Sequence, residues 1–377
     1  MKKMKRVVAT LLAAGMALTL SFSAIAATAT VTPTSPVSAS SETTVDFVKK
    51  YVTTNNSVPA TFPKETLTFN VEPEAAYLGN GEIRPNDLPT GATTAFRVTD
   101  KVVSGNEMTV GMTIPAYDKV GRYNYTVTEV AGSTQGVNYD VTNNSFNVQV
   151  LVTYNETTRA LEKSVAFTKK NGDVKVDSIV NKYDLGAFDI TKTVSGNMGN
   201  KDGYFTINVT LTSDKVVLSD ITYKDFEKKT ENGVETYEEV TKTLEAYDEG
   251  STSDNKKWVK QNDNTYKAEL SVLLTHNGNS LFSNLPAGVY YTVEEDSKHT
   301  ALSTDYTSEA GYTATYTGNY NNVQVTADSK NSITVNNARG TSVDTGVILD
   351  SAPYVLLLAL AGLGTFAVVS KKREEEF

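Results

Sequence analysis

The sequence has no cysteine, only two histidines and a single tryptophan among 377 residues. Without cysteine there can be no disulfide, and His276 and His299 alone cannot assemble a Cys/His metal cluster. Neither histidine stands near a nucleophile in the chain, and both read as surface residues. Gly-rich phosphate loops, metal-ligand spacings and a Ser/His/Asp set with a usable histidine are all missing, so neither a cofactor nor a metal is called for and an enzyme is not expected. The adjacent carboxylates Glu238 and Glu239 do not alter this, because strand neighbours point to opposite faces and these two lie in a charged, solvated hairpin. Basic surplus is lacking as well. The first 26 residues carry +4 and the segment after Thr345 carries −1, so of the total −9 the intervening chain holds −12. That acidity argues against nucleic acid and suits a soluble, mutually repelling surface.

Long apolar runs occur only at the two ends. Lys2, Lys3, Lys5 and Arg6 precede an apolar stretch from Val7 to Ile25 that closes on Ala24-Ile25-Ala26. This is the layout of a secretory signal peptide over 1–26, removed before folding matters. Residues 27–44, rich in Thr, Ser, Ala, Val and Pro, read as a flexible spacer. At the other end, 340–377 contains Ser342-Val343-Asp344-Thr345-Gly346, an apolar stretch from Tyr354 to Val369, then Lys371-Lys372-Arg373. The apolar stretch is just short of a full membrane span, and the cations behind it mark the cytoplasmic side. This arrangement resembles the cell-wall sorting signal of Gram-positive bacteria, Leu-Pro-x-Thr-Gly followed by a hydrophobic segment and a positive tail. The resemblance implies that sortase cleaves between Thr345 and Gly346 and passes the Thr345 carbonyl to an amine. Ser342 and Val343 stand where the family has Leu and Pro, a departure associated with dedicated pilus sortases.

Between these devices, alternating runs such as Leu67-Thr-Phe-Asn-Val71, Phe146-Asn-Val-Gln-Val-Leu-Val152 and Phe205-Thr-Ile-Asn-Val-Thr-Leu211 predict half-buried strands. Asn, Gly, Asp and Pro clusters separate them, and the expected class is all-β: two tandem immunoglobulin-like antiparallel sandwiches over 45–183 and 186–339. The two halves share one plan. Tyr125-Thr-Val-Thr-Glu129 matches Tyr291-Thr-Val-Glu-Glu295, following Gly121 and Gly288. Each half opens on a strand carrying a lysine, Lys49 or Lys192, and closes on one carrying an asparagine, Asn181 or Asn337.

Period-two alternation turns Lys49 and Lys192 inward with the apolar residues two positions away. A buried lysine is rare, and desolvation drives it toward the neutral, nucleophilic amine. The same alternation turns Glu129 and Glu295 inward, where burial favours a protonated carboxyl able to shuttle a proton. With Asn181 and Asn337 inward beside them, the amine can attack the carboxamide carbon and expel ammonia, leaving an isopeptide bond between first and last strands. A register shift of one would make Lys50 the partner instead of Lys49, at the cost of turning Asp46 inward.

The doubled Tyr-x-Val-x-Glu, the stretch Gly136 to Val150 and Asn284-Leu-Pro-Ala-Gly288 together resemble the major pilins of Gram-positive sortase-assembled pili, of the streptococcal T-antigen type. The resemblance covers essentially the whole mature chain and implies the self-crosslinking triads Lys49–Glu129–Asn181 and Lys192–Glu295–Asn337. It further implies a shaft subunit on the cell surface, covalently attached to pilus and cell wall, with sortase, identical subunits in a head-to-tail fibre, tip and basal pilins and peptidoglycan as partners. The membrane is met only by the precursor, and adhesion and colonisation are the process served. The lysine accepting Thr345 is expected a few residues before Asn181, where Lys175 lies. Lys169 and Lys170 stay open on exposure alone, and Phe62-Pro63-Lys64 is a weak echo of the Tyr-Pro-Lys motif of other pilins. The alternative is a wall-anchored adhesin or minor pilin that is not polymerised.

Overall fold

The computed structural model describes residues 36–81, 83–85, 97–98, 101–102, 107–170, 175–176, 178–232, 234–250, 257–296 and 312–340. The leader, Thr345, Gly346 and His299 lie outside the described residues. Among those described every regular element is a strand. The first half contributes β1 (Val37–Ser38), β2 (Thr43–Val52), β3 (Thr66–Leu67), β4 (Phe69–Leu78), β5 (Ile83–Pro85), β6 (Arg97–Val98), β7 (Lys101–Val102), β8 (Glu107–Ile114), β9 (Gly121–Glu129), β10 (Val137–Asn138), β11 (Ser145–Asn155), β12 (Ala160–Lys169) and β13 (Ser178–Tyr183). They form a sheet β1-β12-β11-β9-β4-β5 facing a sheet β10-β13-β2-β8-β6, with β3 and β7 paired beside them. The second half contributes β14 (Leu185–Ser195), β15 (Phe205–Ser213), β16 (Ile221–Glu231), β17 (Val234–Leu244), β18 (Val259–Lys260), β19 (Tyr266–Leu274), β20 (Asn279–Pro286), β21 (Tyr290–Glu295), β22 (Thr313–Thr317), β23 (Val323–Gln324) and β24 (Lys330–Ala338). Its sheets are β17-β16-β20-β14-β24-β22 and β18-β19-β15-β21-β23. The chain is thus two tandem immunoglobulin-like sandwiches, with Asp184 alone between β13 and β14.

Alternation decides what each strand buries. On β2, Val45, Phe47, Lys49 and Tyr51 face in, while Asp46 is exposed. Phe47 meets Phe69, Phe146 and Phe167 with ring centroids at 5.1, 4.9 and 6.4 Å, edge-on or tilted as aromatic quadrupoles prefer. In the second core Phe188 stacks on Phe282 and Tyr291 at 4.7 and 4.1 Å.

Among the described residues the expectation of antiparallel pairing holds for every strand pair except two, and those two are decisive. β13 lies parallel to β2, and β24 parallel to β14. In each domain the strand carrying the lysine and the last strand are therefore hydrogen-bonded neighbours running the same way. The spacer expectation for 27–44 needs correction over its final part. β1 pairs with β12, Ala39 is fully buried, and β2 already starts at Thr43. Two paired residues are too few to show a period, which is why composition alone read this stretch as unstructured.

The domains meet through a polar joint. Both Asp184 carboxylate oxygens accept from Thr54, from its backbone N–H at 2.7 Å and its hydroxyl at 2.6 Å. Gln135 donates to the Ala287 carbonyl at 2.6 Å and accepts from Ser213 at 3.0 Å. Gly288 beside it has φ +90°, and a Cβ there would come within 2.1 Å of the Gln135 amide, so both conformation and contact require glycine.

Candidate crosslinking sites

Lys49 and Asn181 share the parallel β2–β13 ladder. Lys49 is level with Ile179 and Asn181 with Tyr51, so the asparagine stands two residues beyond the lysine's partner. In the second domain Lys192 is level with Val335 and Asn337 with Val194, the same offset. Two residues along a strand return to the same face, and such diagonal neighbours lie within reach of a long side chain. Glu129 and Glu295 come from β9 and β21 in the opposing sheets and point across the core. Lys49, Asn181, Lys192 and Asn337 are all 0% exposed, and the Glu129 and Glu295 side chains 2% and 1%.

Lys49 Nζ is 3.1 Å from Glu129 Oε2, and Lys192 Nζ donates to Glu295 Oε2 at 3.0 Å. Each asparagine amide donates to the other oxygen of its glutamate, at 2.7 Å in both domains. Each glutamate therefore touches both the amine and the carboxamide it would join. The carboxamide oxygens of Asn181 and Asn337 are buried and have no hydrogen-bond partner, nor has Lys49 Nζ, whose approach to Glu129 is off the hydrogen-bond direction. Leaving such groups unmet costs about 1–3 kcal/mol each, and buried orphans of this kind call for an explanation.

Burial pulls both lysines down to about 8 against the opposing pull of the glutamates, and burial raises Glu295. Aromatic rings complete the walls: Lys49 Nζ lies 5.2 Å from the Tyr51 ring centre and Lys192 Nζ 4.6 Å from that of Phe205. Lys50, the alternative at the first site, points outward and pairs with Glu107 at 2.9 Å.

The outlying candidates fall elsewhere. Lys175 is exposed and bridges to Thr168 just before β13. Lys169 and Lys170 are exposed at the end of β12. Lys64 is fixed at the domain joint, its backbone N–H donating to Leu218 and its ammonium 2.8 Å from Asp220. Glu238 and Glu239 pair with Lys229 and Lys224 on the solvated β16–β17 hairpin. His276 departs from a plain surface residue, since its Nδ1 accepts from the Val194 N–H at 2.9 Å.

Two buried charged residues of the first domain lie outside the expectations. Lys163 is 0% exposed and donates to the carbonyls of Ser41, Ile114 and Pro115, three acceptors for three N–H groups. Glu65, 4% exposed, accepts from the hydroxyls of Tyr51, Thr134 and Tyr139. The signal for each was one more step of alternation: Lys163 precedes buried Val165 and Phe167, and Glu65 precedes buried Leu67 and Phe69.

Comparison with known proteins adds an independent finding. A family model described as a Spy0128-like isopeptide containing domain matches residues 45–184, and one described as a domain of unknown function (DUF7601) matches residues 186–339. A curated pilin of Streptococcus pyogenes serotype M1 is 28% identical over 342 residues, 88% of this chain and 93% of that protein. The crystal structure of the major pilin from Streptococcus pyogenes aligns with a TM-score of 0.45 and 20% identity over 79% of this chain and 99% of that one. That of the T3.2 major pilin from the same species aligns at 0.42 and 20% over 78% and 97%.

Proposed function

We propose that the chain is a major pilin of the streptococcal type, a reading supported by the isopeptide-domain match over residues 45–184 and by the 28% identical pilin, that its two buried triads close covalently and that sortase joins the crosslinked subunits head-to-tail into the pilus shaft. The observation carrying this reading is the repetition: the same Lys–Glu–Asn set, at the same two-residue offset, enclosed in both domains.

The chemistry proceeds from the residues present. The lysine ammonium passes one proton to the facing glutamate, leaving a neutral amine and a neutral acid in a dry core. The amine nitrogen attacks the asparagine Cγ while the carboxylic acid, hydrogen-bonded to the carboxamide, polarises it. The Cγ–Nδ2 bond breaks, the amine's second proton leaves with the departing nitrogen, and ammonia is released. Charge is conserved throughout, since an ammonium and a carboxylate become an amide and a carboxylic acid. The bond removes a buried ammonium, whose desolvation is what makes the uncrosslinked core costly. Each protein turns over once, on itself.

For assembly, β13 leads from Lys175 toward the domain joint and β24 leads away from it, so Lys175 and Arg339 lie on opposite sides of the joint. A donor beyond one end and an acceptor toward the other is the heterologous arrangement that generates open filaments. Lys64, tied into the joint itself, is poorly placed to accept. Cleavage between Thr345 and Gly346, transfer to Lys175 of the next subunit and final attachment to peptidoglycan complete the proposal.

The test is the intact mass of the mature chain from Ala27 to Thr345. A deficit of two ammonia masses, with one restored by Glu129→Ala and one by Glu295→Ala, is the expected result. A full-mass wild-type chain would sink the crosslinks. On cells, absence of a detergent-resistant ladder would turn the reading to a wall-anchored, unpolymerised adhesin.

A further inference from the structure

The first crosslinking site has an enclosed carboxylate neighbour with no counterpart at the second among the described residues. Glu65 sits just before β3, almost fully enclosed, with three hydroxyl donors and no cation against its oxygens. Three hydroxyl donors converging on one carboxyl favour its ionised, acceptor-only form, against burial, which favours the protonated one. One donor is Tyr51, which stands two residues beyond Lys49 on the same face of β2 and level with Asn181. The Tyr51 ring forms the wall against which the Lys49 amine rests. The other donors, Thr134 and Tyr139, flank β10, and Thr134 and Gln135 pair with Val216 of the second domain. Glu65 therefore ties the wall of the first site to the domain joint.

Burial raises the Glu65 carboxyl, the charge of Glu129 adding to the rise and that of Lys49 opposing it. The groups facing Lys49 are Glu129 from β9, Glu65 and, after β10, Asp140. Those facing Glu65 are Glu129, Lys49, Tyr51, Thr134, Tyr139 and, more distantly, Tyr183. At the second site Lys192 is faced by Glu295, beside which Asp296 is half-exposed.

We propose that Glu65 is a positioning residue for the first crosslink, holding the Tyr51 ring beneath the Lys49 amine. This rests on the reading of Lys49, Glu129 and Asn181 as a self-crosslinking set.

The experiment follows both bonds in one chain. The mature protein is synthesised into urea, so that no bond forms before folding, then diluted into acidic, neutral or alkaline buffer. Quenched samples are digested and the two crosslinked peptides quantified by mass spectrometry, the second bond serving as internal clock. Glu65→Gln is expected to slow the first bond on the order of tenfold relative to the second, the effect of losing a charge-assisted hydrogen bond that orients a reacting group. In the wild type the ratio of first to second rate should fall on acidification as Glu65 takes a proton, and in Glu65→Gln it should be flat. A merely structural contribution would lower the ratio equally at every pH. Tyr51→Phe, which keeps the ring and removes the hydroxyl, should slow the first bond as well and covers the case in which Glu65→Gln does not fold. Equal ratios and equal pH profiles in wild type and variants overturn the role of Glu65. Failure of the wild type to form either bond overturns the crosslink reading instead.

Discussion

Replacing Asn181 by alanine removes the electrophile of the first crosslink while leaving Lys49 and Glu129 paired. The bond would close a loop of 132 residues, from position 49 to position 181. By the loop-entropy relation used for disulfides, forbidding the open conformations of such a loop stabilises the domain by about 5 kcal/mol. Loss of the 2.7 Å hydrogen bond from Asn181 to Glu129 adds about 1 kcal/mol. A domain of the length matched here, residues 45–184, unfolds with an entropy near 0.3 kcal/mol per kelvin on the usual per-residue average, so the first domain should melt roughly 15–20 °C lower. The assay is scanning calorimetry of the mature chain beside its intact mass. The wild type should show both bonds, and Asn181→Ala one bond and one down-shifted transition. Asn337→Ala should shift the other transition by a similar amount, its loop from 192 to 337 being of nearly the same length. Unchanged melting in a variant whose mass proves the first bond absent would refute the entropy argument while leaving the chemistry standing.

The same variant reports on the buried amine. In Asn181→Ala the Lys49 ammonium is retained, lowered by burial to about 8 from an unfolded value of 10.5. Below pH 8 both states hold the proton and the desolvation cost is borne in full; between about 8 and 10.5 only the unfolded chain holds it, so stability rises with pH, by about 3 kcal/mol in all. Subtracting the wild type, where Lys49 would be an amide, isolates this group in urea titrations at a series of pH values. Lys163→Met should destabilise the first domain by about 2–4 kcal/mol, because the carbonyls of Ile114 and Pro115 lose their buried donor; a change below 1 kcal/mol in urea unfolding would contradict the clamp. Lys175→Ala should abolish the high-mass ladder on cells and leave both ammonia deficits intact, and persistence of the ladder would move the acceptor to Lys169 or Lys170. Gly288→Ala should loosen the domain joint, since a Cβ would overlap Gln135, and the first readout is faster proteolysis near Asp184.

Much of this was legible because the fold repeats with period two. Alternation on β2 favoured Lys49 over its neighbour: Asp46 and Lys50 go out with the even-numbered face, Lys49 goes in. The glutamates followed from Tyr-x-Val-x-Glu, whose tyrosine and valine are fully enclosed in both copies. Pairing direction was not legible. Nothing in a strand's own sequence says which neighbour it will take, and the parallel ladders depend on connections that cross the whole domain. Glu65 and Lys163 were overlooked for a different reason. Each lies at the edge of an apolar run, where a charged residue ordinarily marks the strand's solvated end, and only the facing elements, Thr134 with Tyr139 and Ser41 with Pro115, reveal that it is enclosed.

The parallel ladders explain why a covalent bond is wanted at these two places. When a chain enters a domain on one strand and leaves on a parallel neighbour, tension applied to its ends draws the two strands past each other. All the ladder hydrogen bonds then resist together, but each contributes only about 1 kcal/mol net, and once the register slips every inward residue turns outward. A bond between Lys192 and Asn337, on adjacent parallel strands two residues out of level, lies directly across that sliding motion. It would make slippage impossible without breaking an amide, and it would shield the chain between positions 193 and 336 from load. In the first domain the same bond would tie β2 to the strand that continues through Asp184 into β14, anchoring the N-terminal sandwich to the loaded strand. A disulfide could lock the same positions only in an oxidised environment, whereas a lysine–asparagine amide has no redox state to lose. The absence of cysteine and the presence of two enclosed Lys–Glu–Asn sets are in this sense one adaptation, and the acidic surface keeps the separate chains apart until they are joined.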